Sequence, residues 1–171
     1  AQGRQMLIAR RLLERGVRFV QVRQGGWDLH GGIAQRAANN ARQLDPAIGA
    51  IMDDLKERGL FEDTLIYITS EFGRSPTEDG GGGRSHNARG LSTVLMGGGI
   101  KGGIAYGSTD EIGGAAVENK VHVKDIHATV MDLLGFDHEQ LTYRTAGRDF
   151  RLTQATRSLP QGGMPVKGII A

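Results

Sequence analysis

The stretch Thr64-Leu65-Ile66-Tyr67-Ile68-Thr69 is the clearest strand in the sequence and decides the predicted fold class. Its β-branched and aromatic residues favour an extended, buried conformation. The strand leads into the polar segment Ser70-Glu71-Phe72-Gly73-Arg74. A second apolar stretch, Val17–Val22, leads in the same way into a glycine-bracketed loop that carries Asp28 and His30. Polar residues suited to chemistry therefore follow both predicted strands.

Helical patterns alternate with these strands. Apolar residues at helical spacing predict a helix from Gln2 to Arg15, which ends at Gly16. A second helical stretch runs to Gly59, and Asp45-Pro46 either starts a new helix there or kinks a continuous one. A third capped helix follows over residues 123–134. This alternation predicts an α/β fold with a mainly parallel sheet flanked by helices.

The remaining segments set the predicted domain organisation. Residues 77–89 are polar and glycine-rich, and we expect a mobile loop there, followed by a strand over residues 91–96. Weak periodicity and two prolines after Leu152 predict one domain over residues 1–153 and an extended C-terminal tail over 154–171. The chain starts without an initiator Met, so we expect part of a longer protein, and no stretch is long and apolar enough to span a bilayer.

Charge and cysteine usage exclude several classes of function. The 21 basic and 19 acidic residues are spread along the sequence, so the net charge of +2 gives no reason to expect a nucleic-acid partner. Cysteine is absent, which excludes disulfides, thiolate metal sites and a cysteine nucleophile within this chain. Any metal must be held by His, Asp and Glu.

Four residues in the predicted loops are candidate metal ligands. Asp28 and His30 alternate in an extended segment and point to one side, Glu71 follows another strand, and His86 lies in a third loop. Ligands gather at the carboxyl ends of parallel strands, so we expect these side chains to share a divalent metal: zinc, manganese or calcium. The imidazoles favour zinc, manganese or iron over calcium alone. Alternatively, Asp28 and His30 cap the next helix, and His86 is a plain loop residue.

Two arginines near these residues are candidate anion contacts. Guanidinium groups bind phosphate or sulfate oxygens in a bidentate way, which makes Arg74 the candidate catalytic clamp for the oxyanion and gives Arg84 a similar interpretation. Surface salt bridges explain both residues equally well, including a pair between Arg74 and Glu71. The glycine run over residues 97–103 lacks the Gly-Lys-Ser/Thr ending of a phosphate loop and predicts a turn.

Seven motifs occur in a familiar order along nearly the whole chain up to Thr153. They are Arg15–Val22, Gly26–His30, Glu71–Pro76, Gly83–Asn87, Gly97–Gly103, Tyr106–Glu111 and Gly147–Thr153. This order resembles a large uncharacterised bacterial sulfatase-like family, a domain of unknown function (DUF1501). That family is similar in turn to the alkaline phosphatase and sulfatase superfamily.

The resemblance implies a fold, an activity and a location. It implies the C-terminal part of an alkaline phosphatase-like domain that hydrolyses sulfate or phosphate esters, with a small-molecule or polysaccharide ester as substrate. Asp28, His30 and His86 would match the ligands of one metal and Glu71 a carboxylate of a second. The nucleophile would lie in an N-terminal part of the same domain, and the full-length protein would be periplasmic or exported.

One departure from the superfamily pattern leaves a second interpretation open. Many members carry an imidazole at the position that Phe72 occupies here. The loss of that imidazole weakens a second metal site. The alternative is therefore a catalytically inactive binding or structural module derived from the superfamily.

Overall fold

The computed structural model describes residues 2–171, in which three helices and eight short strands occur. In chain order they are α1 (Gln2–Glu14), α2 (Ile33–Glu57), β1 (Ile66–Ile68), β2 (Gly73–Asp79), β3 (Gly83–Asn87), β4 (Val94–Met96), β5 (Ser108–Thr109), β6 (Ala116–Glu118), α3 (Val123–Leu133), β7 (Tyr143–Thr145) and β8 (Arg148–Phe150), followed by a 3-10 turn at Lys167–Ile169. None of the helices found between residues 2 and 171 has the length and apolar character that crossing a membrane requires.

The predicted α/β fold, with a mainly parallel, alkaline phosphatase-like sheet flanked by helices, is wrong. The strands form four separate two-stranded sheets, β1–β4, β2–β3, β5–β6 and β7–β8, and every pair is antiparallel. The prediction assumed that successive strands enter one sheet through right-handed crossovers. Three of the four pairs are instead formed by strands adjacent in the chain, because the intervening segments turn back directly and bring each strand onto its predecessor.

The strand predicted at Val17–Val22 does not form. The segment is extended, but no backbone–backbone hydrogen bond joins residues 18–28 to any other described residue. The Phe19 side chain is 78% exposed. A strand requires a partner that takes up its N–H and C=O groups, and β-propensity alone does not supply one.

The three predicted helices are confirmed. α1 ends two residues before Gly16, whose φ of 81° places it in the left-handed region that glycine favours. α2 continues through Pro46, so this proline neither starts a new helix nor ends the old one. The capping of α3 is reciprocal, since the His122 ring accepts from the Lys124 N–H and the Asp125 carboxylate accepts from the His122 N–H.

A network of charged side chains joins α1 to α2. Arg10 is buried, and its guanidinium donates to Glu14 at 2.6 Å and to Asp54 at 2.7 Å. Arg58 donates to the same two carboxylates. The hydrogen bond from Arg58, followed by that from Arg10, holds the pKa of Asp54 below its usual value. The network therefore joins the C-terminal half of α1 to the C-terminal end of α2.

Leu55 on α2 is the largest fully buried apolar side chain of the described core, with 0% exposure. We predict that Leu55→Ala lowers the free energy of unfolding by about 2–5 kcal/mol, because the truncation removes apolar contacts and leaves a cavity. Urea unfolding followed by circular dichroism measures the loss. Leu7→Ala on α1, where the side chain is 39% exposed, is the control. An equal loss in both variants would contradict this description of the core.

Residues 154–171 form irregular structure that packs against α3. Within this segment Leu159, Val166 and Ile169 are buried. The buried Thr129 hydroxyl donates to the Asp125 carbonyl and accepts from the Val166 N–H at 2.9 Å. The division into residues 1–153 and 154–171 stays a prediction, but the segment is attached to the rest of the chain through α3.

Candidate metal centre

The polar segment after β1 is ordered into a hairpin, not into the mobile loop that the sequence predicts. β2 and β3 pair from Gly73–Asn87 at the open end to Asp79–Gly83 at the turn. Gly81 and Gly82 adopt φ values of 83° and 75°, a conformation that few other residues take without strain. The prediction of a mobile loop is wrong because these glycines make a tight turn that lets the polar flanks pair as strands.

The loop before α2 lies along this hairpin. The Arg84 N–H donates to the Leu29 carbonyl at 3.1 Å, and the Gly32 N–H donates to the Gly81 carbonyl at 2.9 Å. Between the two candidate ligands, the Leu29 side chain is buried and anchors the loop. Because alternate side chains of an extended segment point to opposite sides, Asp28 and His30 both face outward.

Asp28, His30 and His86 meet at the surface where the loop contacts β3. Asp28 Oδ1 lies 3.0 Å from His30 Nε2 and 3.0 Å from His86 Nε2. The two Nε2 atoms are 3.1 Å apart. Three potential ligand atoms thus form a nearly equilateral triangle, and all three side chains are exposed.

The triangle fits a divalent transition metal. Ligands bonded at about 2.0–2.2 Å, at octahedral to tetrahedral angles, lie roughly 2.8–3.6 Å apart, which brackets the observed separations. One carboxylate oxygen and two imidazole nitrogens suit zinc or manganese better than calcium. Exposure of the side chains leaves access for an ion and for a further ligand. The residues present therefore fit the predicted metal.

Glu71, the fourth predicted ligand, lies outside this group. Among residues 2–171, Asp28, His30 and His86 are the set whose ligand atoms come within 4.8 Å of one another. Glu71 is exposed, two residues before β2 begins. Its neighbour Phe72 packs on the His86 ring instead, with ring centroids 4.1 Å apart. This contact was not predicted from the sequence, and it limits the orientations of the His86 imidazole.

Arg74 contacts Asp28 and not Glu71. Its Nη2 donates to Asp28 Oδ1 at 2.8 Å, and Arg74 pairs with His86 across the β2–β3 hairpin. The hydrogen bond from His86, followed by that from Arg74, lowers the pKa of the Asp28 carboxyl from 3.8 to about 2. Asp28 is therefore ionised throughout the neutral range and supplies the negative charge that a cation requires.

Comparison with known proteins assigns the chain to a family. The family described as "Protein of unknown function (DUF1501)" matches residues 1–161. The chain belongs to this family. No curated protein and no solved structure matches this chain. Membership of DUF1501 confirms that part of the predicted resemblance.

Two further side chains of this DUF1501 chain complete the surroundings of the triangle. Asp79 Oδ2 lies 3.3 Å from His30 Nδ1, and the Ser85 hydroxyl donates to the Asp79 carboxylate at 2.7 and 2.8 Å. Neither residue was predicted from the sequence to have a role. A usable signal was present, because Asp79 and Ser85 flank the glycine run at a spacing that a tight hairpin brings together.

The low pKa of Asp28 predicts how acid affects this DUF1501 chain. A carboxyl whose folded pKa lies near 2 and whose unfolded pKa lies near 3.8 stabilises the fold above pH 3.8 and loses that contribution as the pH falls towards 2. In the presence of a chelator at pH 6, we expect wild type to have a larger free energy of unfolding in urea than Asp28→Asn. This difference in stability should disappear as the pH falls from 3.8 to 2. A difference that stays constant across this range would contradict a low pKa for the Asp28 carboxyl.

Proposed function

We propose that this DUF1501 chain carries the metal site of a hydrolase that cleaves sulfate or phosphate esters. The meeting of Asp28, His30 and His86 on one exposed surface is the observation that carries the proposal. A divalent ion held by Asp28, His30 and His86 would supply Lewis acidity towards the ester oxygen. The substrate class, a small-molecule or polysaccharide ester, and export of the full-length protein stay predictions.

The residues around the triangle have separable roles in this proposal. Asp28 provides the charge that binds the cation, and Arg74 holds its carboxylate at 2.8 Å. Phe72 packs against the His86 ring. The contact of Arg74 with Asp28 supports a role in holding this ligand. Its predicted role as the clamp for the oxyanion stays a prediction.

A shallow depression at the turn of the hairpin contains Arg84, the candidate contact for an anionic ester. It has a volume of about 410 Å³, and Gly32, Gly82, Glu78 and Arg84 are among its lining residues. The Arg84 guanidinium donates through Nη1 to the Gly83 carbonyl at 2.8 Å. A guanidinium carries five N–H donors, so donors remain for sulfate or phosphate oxygens.

An ester screen on the complete gene product tests the proposal. The protein is stripped with chelator, reloaded with zinc or manganese, and assayed on aryl sulfates and aryl phosphates. We expect turnover only after reloading, and a loss of turnover in His86→Ala. Arg144→Ala, in the separate β7–β8 hairpin, is the matched control and should keep full activity. Turnover that is unchanged by chelation would contradict a metal-dependent mechanism.

The second candidate is a catalytically inactive binding or structural module. Phe72, which packs on His86 where the resembled superfamily commonly carries an imidazole, favours it. The position of Glu71 outside the triangle favours it as well. This candidate predicts that the complete gene product retains no metal after the same treatment and cleaves neither class of ester. The same screen therefore separates the two candidates.

A further inference from the structure

We propose that Asp79 is a positioning residue for the candidate metal centre: it holds the His30 ring through Nδ1 and thereby directs Nε2 towards the shared ion. The inference rests on the proposed metal site. It adds a residue whose carboxylate does not touch the ion and which acts only through His30.

The hairpin fixes the Asp79 carboxylate before any ion binds. Asp79 is the last residue of β2 and pairs with Gly83 across the turn. The Ser85 hydroxyl lies 2.7 Å from one carboxylate oxygen and 2.8 Å from the other. The side chain of Asp79 is 29% exposed, against 50% for His30. Asp79 is therefore the less exposed and more firmly held partner of the pair.

The chemistry of imidazole gives this contact its consequence. A neutral ring carries one proton, and the nitrogen that binds a metal must be the one without it. The Asp79 carboxylate is 3.3 Å from His30 Nδ1 and can only accept, so it favours the proton on Nδ1. That tautomer leaves the Nε2 lone pair directed at His86 Nε2 and at Asp28 Oδ1, and a cation between these atoms would offset the repulsion between the lone pair and the carboxylate. Carboxylates behind ligating histidines commonly act in this way.

The length of the contact sets the expected size of the effect. A distance of 3.3 Å is at the long end of the hydrogen-bond range, so the orientation of the ring depends partly on packing as well. Loss of such an outer partner lowers metal affinity by about 10–100-fold in known sites. We expect Asp79→Asn to lower the zinc affinity by about 10-fold, the lower end of this range.

Zinc affinity of the complete gene product, measured by competition with a chelator, tests the proposal. Asp79→Asn should bind zinc about 10-fold more weakly than wild type. Ser85→Ala should weaken binding in the same direction by a smaller factor, because Asp79 loses its anchor. Asp149→Asn, the same chemical change in the separate β7–β8 hairpin, is the control and should stay within about 2-fold of wild type. Binding by Asp79→Asn within that control range would overturn the proposal.

The tautomer of His30 in metal-free protein supplies a readout that a merely structural role would not move. The Asp28 carboxylate, 3.0 Å from His30 Nε2, competes for the proton in metal-free protein, so the comparison is made in Asp28→Ala. Long-range ¹H–¹⁵N NMR should show the proton on Nδ1 in Asp28→Ala and a mixture when Asp79→Asn is added. A proton on Nε2 in Asp28→Ala overturns the proposal, even if the double variant does not fold. If wild type binds no zinc but Asp28→Ala carries the Nδ1 proton, the proposed function fails while the Asp79–His30 contact stands.

Discussion

Replacement of His86 by alanine is expected to lower zinc affinity by more than about 100-fold, since removal of an outer-shell partner alone costs 10–100-fold and this change removes a ligand. His86 Nε2 is 3.0 Å from Asp28 Oδ1 and 3.1 Å from His30 Nε2, so two of the three separations in the triangle depend on it. Asp28→Asn should have a comparable effect because the site loses its negative charge. Competition with a chelator, together with elemental analysis of the purified protein, measures both losses.

Glu71→Gln is the informative control for this experiment. Glu71 was predicted as a ligand but lies outside the triangle, so its replacement should leave the zinc affinity within about 2-fold of wild type. Loss of zinc in Glu71→Gln, with retention in His86→Ala, would place the metal on a different set of residues.

Replacement of Gly83 by alanine is expected to abolish zinc binding without removing any ligand. A Cβ at this position would lie 2.0 Å from the His30 carbonyl carbon and 2.5 Å from the Gly31 nitrogen, both backbone atoms. The loop must therefore move away from the hairpin, which separates Asp28 and His30 from His86. We also expect a loss of about 1–3 kcal/mol in the free energy of unfolding from the overpacking.

Gly80→Ala provides a matched control in the same turn. A Cβ at Gly80 meets no atom within 4 Å, and its φ is not in the left-handed region. This variant should fold and bind zinc as wild type does. Wild-type zinc affinity in Gly83→Ala would show that the site does not need close contact between loop and hairpin.

The helices were predictable from sequence because their signals are local. Apolar spacing and terminal glycines define α1 and α3 without reference to the rest of the chain. The sheet was not predictable in this way, since pairing joins residues that are distant in sequence. Val17–Val22 has the composition of a strand but pairs with no other strand among residues 2–171, and β1 pairs antiparallel with β4 across 25 intervening residues (69–93).

The candidate site was predictable in part. Asp28 and His30 lie two residues apart in an extended loop, which places them together whatever the fold. His86 could join them only if its segment returns to this loop, which the spacing of the residues alone does not show. Glu71 was predicted to join the site because the strands were expected to form a parallel sheet, and that sheet does not form. Asp79 and Ser85 were missed because their contact exists only once the hairpin closes.

We infer that Asp28, His30 and His86 share one ion. Anomalous diffraction at the zinc edge, from crystals of the zinc-loaded protein, tests it most directly. We predict a peak within about 2.0–2.2 Å of Asp28 Oδ1, His30 Nε2 and His86 Nε2. A fully occupied zinc bound elsewhere, with these three side chains free of it, would contradict the claim.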